Sequence, residues 1–368
     1  MHKEIPSGGP WITAKEIEYV KDACETGWYD NWSNYLTRFE KAMCEYTGTK
    51  YSLATSSCTG ALHIAMAALG LKPGDEVIVP ETTWIATVTC VCYLGAKPVF
   101  VDVEKDTWCM DPECFRKAIT AKTKAVIPVH MYGHPADMDA INRIAAGEGI
   151  PVIEDAAPGI GSKYKGRPAG SLGMAGAFSF QGAKPLVTGE GGMLVTSDAN
   201  FYDRAYYYWD HCRDKSQVLF NTGIGFKYKM SNILAALGLA QLERAGEIIE
   251  KRRRIFFWYQ KRLGDIAGLR MNVEREGIYN NFYVPTIIME GQFGITPGDL
   301  MRKMAADGVR NRPFFRCISK FPMFRPAETP VADRLAERGI NLPCATALTE
   351  EDVDYASNVI RKHLLGQK

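Results

Sequence analysis

In the first two thirds of the chain, apolar residues come in short unbroken runs rather than alternating with polar ones. EVIVP (76–80), KPVFVDV (97–103), KAVIPVHM (124–131), PVIEDAA (151–157), AGAFSF (175–180) and GMLVTSD (192–198) stand out. A strand that is apolar at successive positions is covered on both faces. Segments of helical period, 60–69, 84–94 and 137–146, lie between several of these runs. Strand and helix in turn predict a largely parallel sheet with crossover helices, an α/β architecture. From Ser231 the pattern changes: Leu234, Leu237, Leu242, Ile249, Phe256 and Tyr259 keep a helical spacing. That spacing predicts one long helix, capped by Ser231 or Asn232. NFYVPTIIM then reads as a strand and GDLMRKMAADG as a helix of a smaller α+β unit. The expected division is a large domain over residues 1–240, including the N-terminal segment, and a small one over 241–368.

Composition adds limits. The chain has 368 residues, enough for these two units. Forty-four basic residues against forty-two acidic leave a net charge of +2, which argues against a general nucleic-acid or polyanion-binding surface. The opening MHKEIPSGGPWITAKEIEYV has no apolar core of signal-peptide length, and no run approaches ~20 uninterrupted apolar residues. A cytoplasmic protein with no membrane partner is expected. Ten cysteines include no C-x-x-C pair, and Cys90 and Cys92 in ATVTCVCYLG read as buried, reduced thiols. His130 and His134 have the spacing of a helical metal pair, but Gly133 and Pro135 make HMYGHP a loop, so no metal site is expected. The basic run 251–254 reads as a solvated helix face.

The stretch AFSFQGAKPLVTGEGGMLVTSD (177–198) sets Lys184 between a strand-like run and a glycine-dense turn. Alone, it reads as a surface turn. Upstream, Thr55, Ser56, Ser57 and Thr59 run into an apolar helix that opens near Gly60. The free amides and partial positive charge of a helix N-terminus suit a phosphate. Trp84 follows a strand end, as a core residue or as a flat wall for an aromatic ligand. Glu154 and Asp155 close a strong strand, and open α/β sheets bind ligands at the carboxyl ends of their strands. The nearby GIGSKYKG is not the glycine fingerprint of a dinucleotide fold, which argues against a nicotinamide enzyme. A phosphate cradle, an aromatic wall, an acid and a lysine are together what pyridoxal 5′-phosphate (PLP) requires. The lysine forms an imine with its aldehyde, the acid keeps its ring nitrogen protonated, and the indole stacks on its ring.

In this order the motifs resemble the DegT/StrS family of sugar aminotransferases, fold-type-I PLP enzymes. The resemblance runs from GWYDNW and FEKAMCEYTGTKYSLATSS through DEVIVPETTWIATVTCVCYLGAKPVFVDV and IEDAAPGIGS. It continues to SFQGAKPLVTGEGGMLVT, IGFKYKMSNILAALGLAQLER and NLPC. It implies a large domain with a mostly parallel seven-stranded sheet between helices, and a smaller C-terminal α+β domain. It also implies roles. Lys184 is the imine lysine and proton shuttle, Asp155 the partner of the ring nitrogen and Trp84 the stacking residue. Ser179 and Thr59, with the amides near Cys58 and Gly60, form the phosphate clamp. Lys227 in GFKYKMSN reaches the cofactor of a neighbouring subunit, in an obligatory homodimer with shared active sites.

Three positions depart from the family pattern. Cys58 stands where the phosphate loop usually has glycine. Lys227 stands where asparagine is frequent. Pro158, which has no donor, stands where a polar residue usually touches the cofactor's phenolic oxygen. The implied activity moves an amino group from L-glutamate to a nucleotide-linked 4-keto-6-deoxyhexose. It follows a ping-pong order through a Lys184 aldimine and pyridoxamine phosphate, as in the perosamine-synthase-like and aminoarabinose-type branches. Two alternatives are a PLP-dependent sugar dehydrase, whose relatives carry histidine in place of Lys184, and a non-catalytic PLP- or sugar-binding regulator. VRNRPFFRCISKFPMFR (309–325) gathers Arg310, Arg312 and Arg316 with further basic and aromatic residues. It reads either as a substrate-binding cluster or as a basic surface loop.

Overall fold

The computed structural model describes residues 4–291 and 293–366. Seven strands form the central layer: β1 (Tyr51–Thr55), β2 (Glu76–Pro80), β3 (Lys97–Val101), β4 (Thr123–Val126), β5 (Ile153–Asp155), β6 (Ala175–Ser179) and β7 (Gly192–Thr196). Ladders join β1-β7-β6-β5 and β4-β2-β3. Parallel bridges from Val126 to Val152 and from Val129 to Asp155 connect the two sets. The sheet therefore reads β1-β7-β6-β5-β4-β2-β3, and only β7 runs against its neighbours. This is the expected mostly parallel seven-stranded sheet. Six of its strands stand out as apolar runs. β1 does not, because its polar positions are buried and bonded: Ser52 donates to the Glu40 carbonyl at 2.8 Å, and Thr55 to that of Ser57 at 2.9 Å.

The predicted helices fall at Cys58–Ala68, Ala86–Cys92 and Met138–Gly147. Cys90 is buried in the second of them, but Cys92 is exposed, contrary to expectation; residues two apart on a helix face different ways. The expected long helix is two helices, Asn232–Glu243 and Ala245–Leu263. Ser231 caps the first, accepting from the Leu234 amide at 3.3 Å. The break falls at Arg244, where ψ turns to 10°. The Arg244 guanidinium is drawn to Glu16 at 2.6 Å and to the Trp11 carbonyl at 3.3 Å. A tertiary contact thus overrides an uninterrupted helical period. The basic run 251–254 is also not a solvated face. Arg252 is buried, Arg253 bonds Glu274 and the Asn280 carbonyl, and only Arg254 is exposed.

After this pair of helices, Leu269–Met271, Thr286–Met289, Gly339–Asn341 and Arg312–Pro313 form an antiparallel sheet. Its core is shared with the helices Ala245–Leu263 and Glu350–Leu365. The N-terminal chain also enters this core. Ile5 is buried there, its amide donating to the Gly308 carbonyl at 2.8 Å. The Cys344 amide donates to the Ser7 carbonyl at 3.0 Å. Among the described residues no helix is long and apolar enough to cross a membrane.

Candidate active site

β5 ends in two adjacent acids, and successive strand residues face opposite sides of a sheet. Asp155 is buried. Its Oδ2 accepts from the Thr87 hydroxyl at 2.6 Å and its Oδ1 from the Ala157 amide at 3.1 Å. The Thr83 and Thr87 hydroxyls are 2.9 Å apart. Thr87 gives its single proton to the carboxylate, so Thr83 donates to Thr87. Thr87 belongs to the first turn of the helix after β2, so the carboxyl ends of two strands converge here.

Glu154 on the other side accepts from Nε2 of His130 at 2.8 Å. It also accepts from the amides of Gly170, Leu172 and Gly173 at 2.8, 2.6 and 2.6 Å. The Ala136 amide donates to Nδ1 of His130 at 3.2 Å, so the ring proton sits on Nε2 and points at Glu154. Nδ1 of His134 donates to the Pro135 carbonyl at 2.7 Å, and burial lowers that ring's pKa to about 4.

Lys184 lies in the loop between β6 and β7. The loop is closed by the Gly182 amide donating to the Gly189 carbonyl at 2.8 Å. Gly189 has φ +85°, a left-handed conformation that suits glycine. The Lys184 Nζ lies 4.7 Å from the centroid of the Tyr283 ring. Burial pushes the Cys58 thiol well above its usual pKa. The Asp155 charge adds to that push and Lys184 opposes it, so acid and lysine both act on the opening of the helix Cys58–Ala68.

That opening differs from the expected one in a detail. Ser57 is the N-cap and accepts from the Gly60 amide at 3.0 Å. The Gly60 amide and the hydroxyls of Thr55 and Ser57 are therefore engaged within the chain. The Cys58 and Thr59 amides remain at the helix mouth, beside the half-buried hydroxyls of Ser56 and Thr59. Ser179 ends β6 opposite Gly192. A Cβ on Gly192 would lie 2.4 Å from the Cys58 nitrogen, so only glycine lets β7 pass this close to the helix mouth.

A cavity of about 700 Å³ adjoins these groups, lined among others by Thr83, Trp84, Gln181, Tyr283, Arg312 and Arg316. Trp84 is 63% exposed, and its ring centroid lies 6.3 Å from that of Phe315. Arg310 is not among the lining residues; it donates to Glu4 at 2.6 Å. Glu4 holds Arg310 while Arg312 enters the antiparallel sheet opposite Asn341 at the cavity, which parts the expected trio. Lys227 is exposed and is not among the lining residues. Pro158 is buried and contributes only its carbonyl, which accepts from the Asn281 amide group at 2.7 Å.

The residues missed by motif reading come from distant segments. Tyr132 and Asn341 both line the cavity. The Tyr132 hydroxyl accepts from the Asn341 side chain at 3.0 Å and from the Phe315 amide at 3.3 Å. Tyr132 also has φ +46°, unusual for a bulky residue. HMYGHP draws attention to its histidines, while the tyrosine between them is the residue at the cavity.

The family model for the DegT/DnrJ/EryC1/StrS aminotransferase family matches residues 10–361. The chain belongs to this family. It is 38% identical to the GDP-perosamine synthase of Escherichia coli O157:H7, over 98% of both chains. It is 36% identical to the GDP-perosamine synthase of Caulobacter vibrioides, over 95% of both. Its fold superposes on the aminotransferase TlmJ of Streptoalloteichus hindustanus with a TM-score of 0.94. That pair is 28% identical, and the match covers 99% of this chain and all of TlmJ. The enzyme is a PLP-dependent sugar aminotransferase. Its residues fit the cofactor. A buried strand-end carboxylate, a loop lysine and a glycine-flanked helix mouth match a ring nitrogen, an aldehyde and a phosphate in turn.

Proposed function

We propose that the enzyme transfers an amino group from L-glutamate to the keto carbon of a nucleotide-linked 4-keto-6-deoxyhexose. Donor and acceptor would use one site in turn, a ping-pong order, in a cytoplasmic homodimer. PLP, when bound, supplies the aldehyde that takes up the amino group and a ring that spreads the charge left on carbon. Lys184 carries the cofactor and moves the proton between the two carbons that exchange it. Asp155, steadied by Thr87, holds the ring nitrogen's proton. Trp84 covers the ring. Ser179, Thr59 and the Cys58 amide hold the phosphate, closed by Lys227 of the partner subunit. Arg312 and Arg316 meet the anionic groups of the substrates, and guanidinium forks suit a carboxylate or a diphosphate. Pro158 leaves the phenolic oxygen without a donor from that position.

The observation that carries this reading is one cavity lined by Gln181, Gly182 and Ala183 of the lysine loop and by Arg312 and Arg316, whose lining Thr83 is linked through Thr87 to the buried Asp155 carboxylate. The names of the perosamine synthases support the choice of sugar. The test is Lys184→Ala, assayed with L-glutamate against a panel of keto-sugar nucleotides, with amino-sugar product measured by mass. Turnover should fall by several orders of magnitude. Near-normal turnover would sink the assignment.

A further inference from the structure

Arg252 sits in the middle of the helix Ala245–Leu263 and is 1% exposed. A guanidinium withdrawn from water needs acceptors for its donors. Arg252 finds backbone carbonyls. Nη1 donates to Tyr283 and to Cys344, both at 3.2 Å, and Nη2 donates to Lys184 at 3.1 Å. These carbonyls belong to separate stretches of chain. One is the loop that carries the lysine. The other two, at Tyr283 and Cys344, line the cavity. The ring of Tyr283 adds a second link, its centroid lying 4.7 Å from the Lys184 ammonium and 5.9 Å from the Arg252 guanidinium.

We propose that Arg252 is a positioning residue for Lys184. Its planar fork pins the lysine's own main chain to the cavity wall, and the Tyr283 ring guides the amine toward the cavity. The lysine loop needs such a pin. It is bounded by Gly182 and Gly189; within it the Lys184 amide donates to the Gln181 carbonyl at 2.8 Å, which ties the lysine to its own loop, while the Arg252 bond to the Lys184 carbonyl ties that loop to the cavity wall. A long side chain on an unpinned loop reaches many points, whereas the reaction needs one. A misplacement of about 1 Å can cost roughly a hundredfold in rate. Arginine suits the task because its donors are splayed in a rigid plane, while lysine gathers its donors at one point. The proposal rests on Lys184 being the cofactor-bearing lysine.

The test uses full-length Arg252→Lys and Arg252→Gln. Each is measured for thermal midpoint without cofactor, for kcat and KM with L-glutamate, and for cofactor capture. Capture is the fraction of Lys184 that carries the reduced pyridoxyl group after borohydride treatment at saturating PLP, read by peptide mass. Both variants should fold, lose roughly ten- to a hundredfold in kcat with a much smaller change in KM, and show reduced capture at Lys184. A purely structural arginine would lower the thermal midpoint and leave kcat and capture at saturating cofactor unchanged; that result overturns the proposal. Failure of both variants to fold also overturns it, in favour of a folding role. Absence of Lys184 labelling in the wild-type enzyme would overturn the proposed function, and this inference with it. Normal labelling and turnover in wild type and variants alike would overturn this inference alone.

Discussion

Glu154 and Asp155 are neighbours on one strand, share a charge and are both buried, yet they are bonded differently. Glu154 is closed: four donors converge on its two oxygens, three of them backbone amides of the segment 170–173. Asp155 is partly open. Two donors hold it in place, and a carboxylate has about four acceptor sites. The first acid joins a loop to the sheet, and the second has capacity for a ligand. Under the proposed function, what separates the structural carboxylate from the cofactor-binding one is the remaining hydrogen-bonding capacity, since burial and charge are the same.

The sharpest way to break this comparison is Asp155→Asn. The change keeps size and removes charge, so the ring nitrogen loses its favoured protonated form. We expect kcat to fall roughly 10²–10⁴-fold, the scale of losing a placed charge or proton-handling group. The thermal midpoint should change little. Unchanged activity would mean that the acid is structural and that the two residues do not differ as argued.

The reciprocal change, Glu154→Gln, should act on stability. Glutamine turns one acceptor oxygen into an amide donor that must face backbone N–H groups. Breaking a buried charged network of this kind costs about 3–5 kcal/mol. Denaturant unfolding should report a loss of that order, with kcat per folded molecule close to wild type. A stable Glu154→Gln enzyme with depressed kcat would blur the distinction.

The sequence is legible where a residue's task is local. The runs behind β2 to β7 mark their strands; β6 and β7 are buried at every position, while β3, at the sheet edge, is apolar but only partly covered. Asp155 and Ser179 stand at strand ends that those runs locate, and Lys184 follows in the loop after Ser179. Legibility fails where a distant partner decides the outcome. Arg244 breaks a helix of good period because Glu16, over two hundred residues earlier, holds its guanidinium. Arg252 reads as one of four solvated basic residues, but its acceptors lie in three remote stretches. Arg310 and Arg312 are indistinguishable in a basic run until Glu4 takes the first and the cavity the second. The Gly60 amide looks available for a phosphate until the Ser57 cap engages it.

Lys227 and Lys229 repeat the contrast of closed and open, with the smallest effect expected. Lys229 is closed within the chain. Its Nζ lies 3.0 Å from Asp210 and 4.1 Å from the centroid of Trp209. Lys227, two residues earlier, is exposed, on a strap whose Tyr228 packs against Gly60 of the helix mouth. Exposed apolar side chains lie nearby in sequence, with Val218, Leu219 and Ile224 each more than nine-tenths exposed; grouped exposed apolar side chains are a general mark of interaction surfaces. If Lys227 completes the partner's phosphate site, each active site is built from two chains. An ammonium–phosphate contact in a partly desolvated site contributes at most a few kcal/mol. Lys227→Ala should therefore weaken PLP affinity roughly ten- to a hundredfold, at ~1.4 kcal/mol per decade. Lys229→Ala, whose charge is already matched, should change PLP affinity far less. Mixing Lys184→Ala chains with Lys227→Ala chains under limiting PLP makes the decisive measurement. In a mixed dimer both defects fall on one site and the other is intact, so activity should reappear. Verified heterodimers that regain nothing would show that Lys227 does not act across the interface.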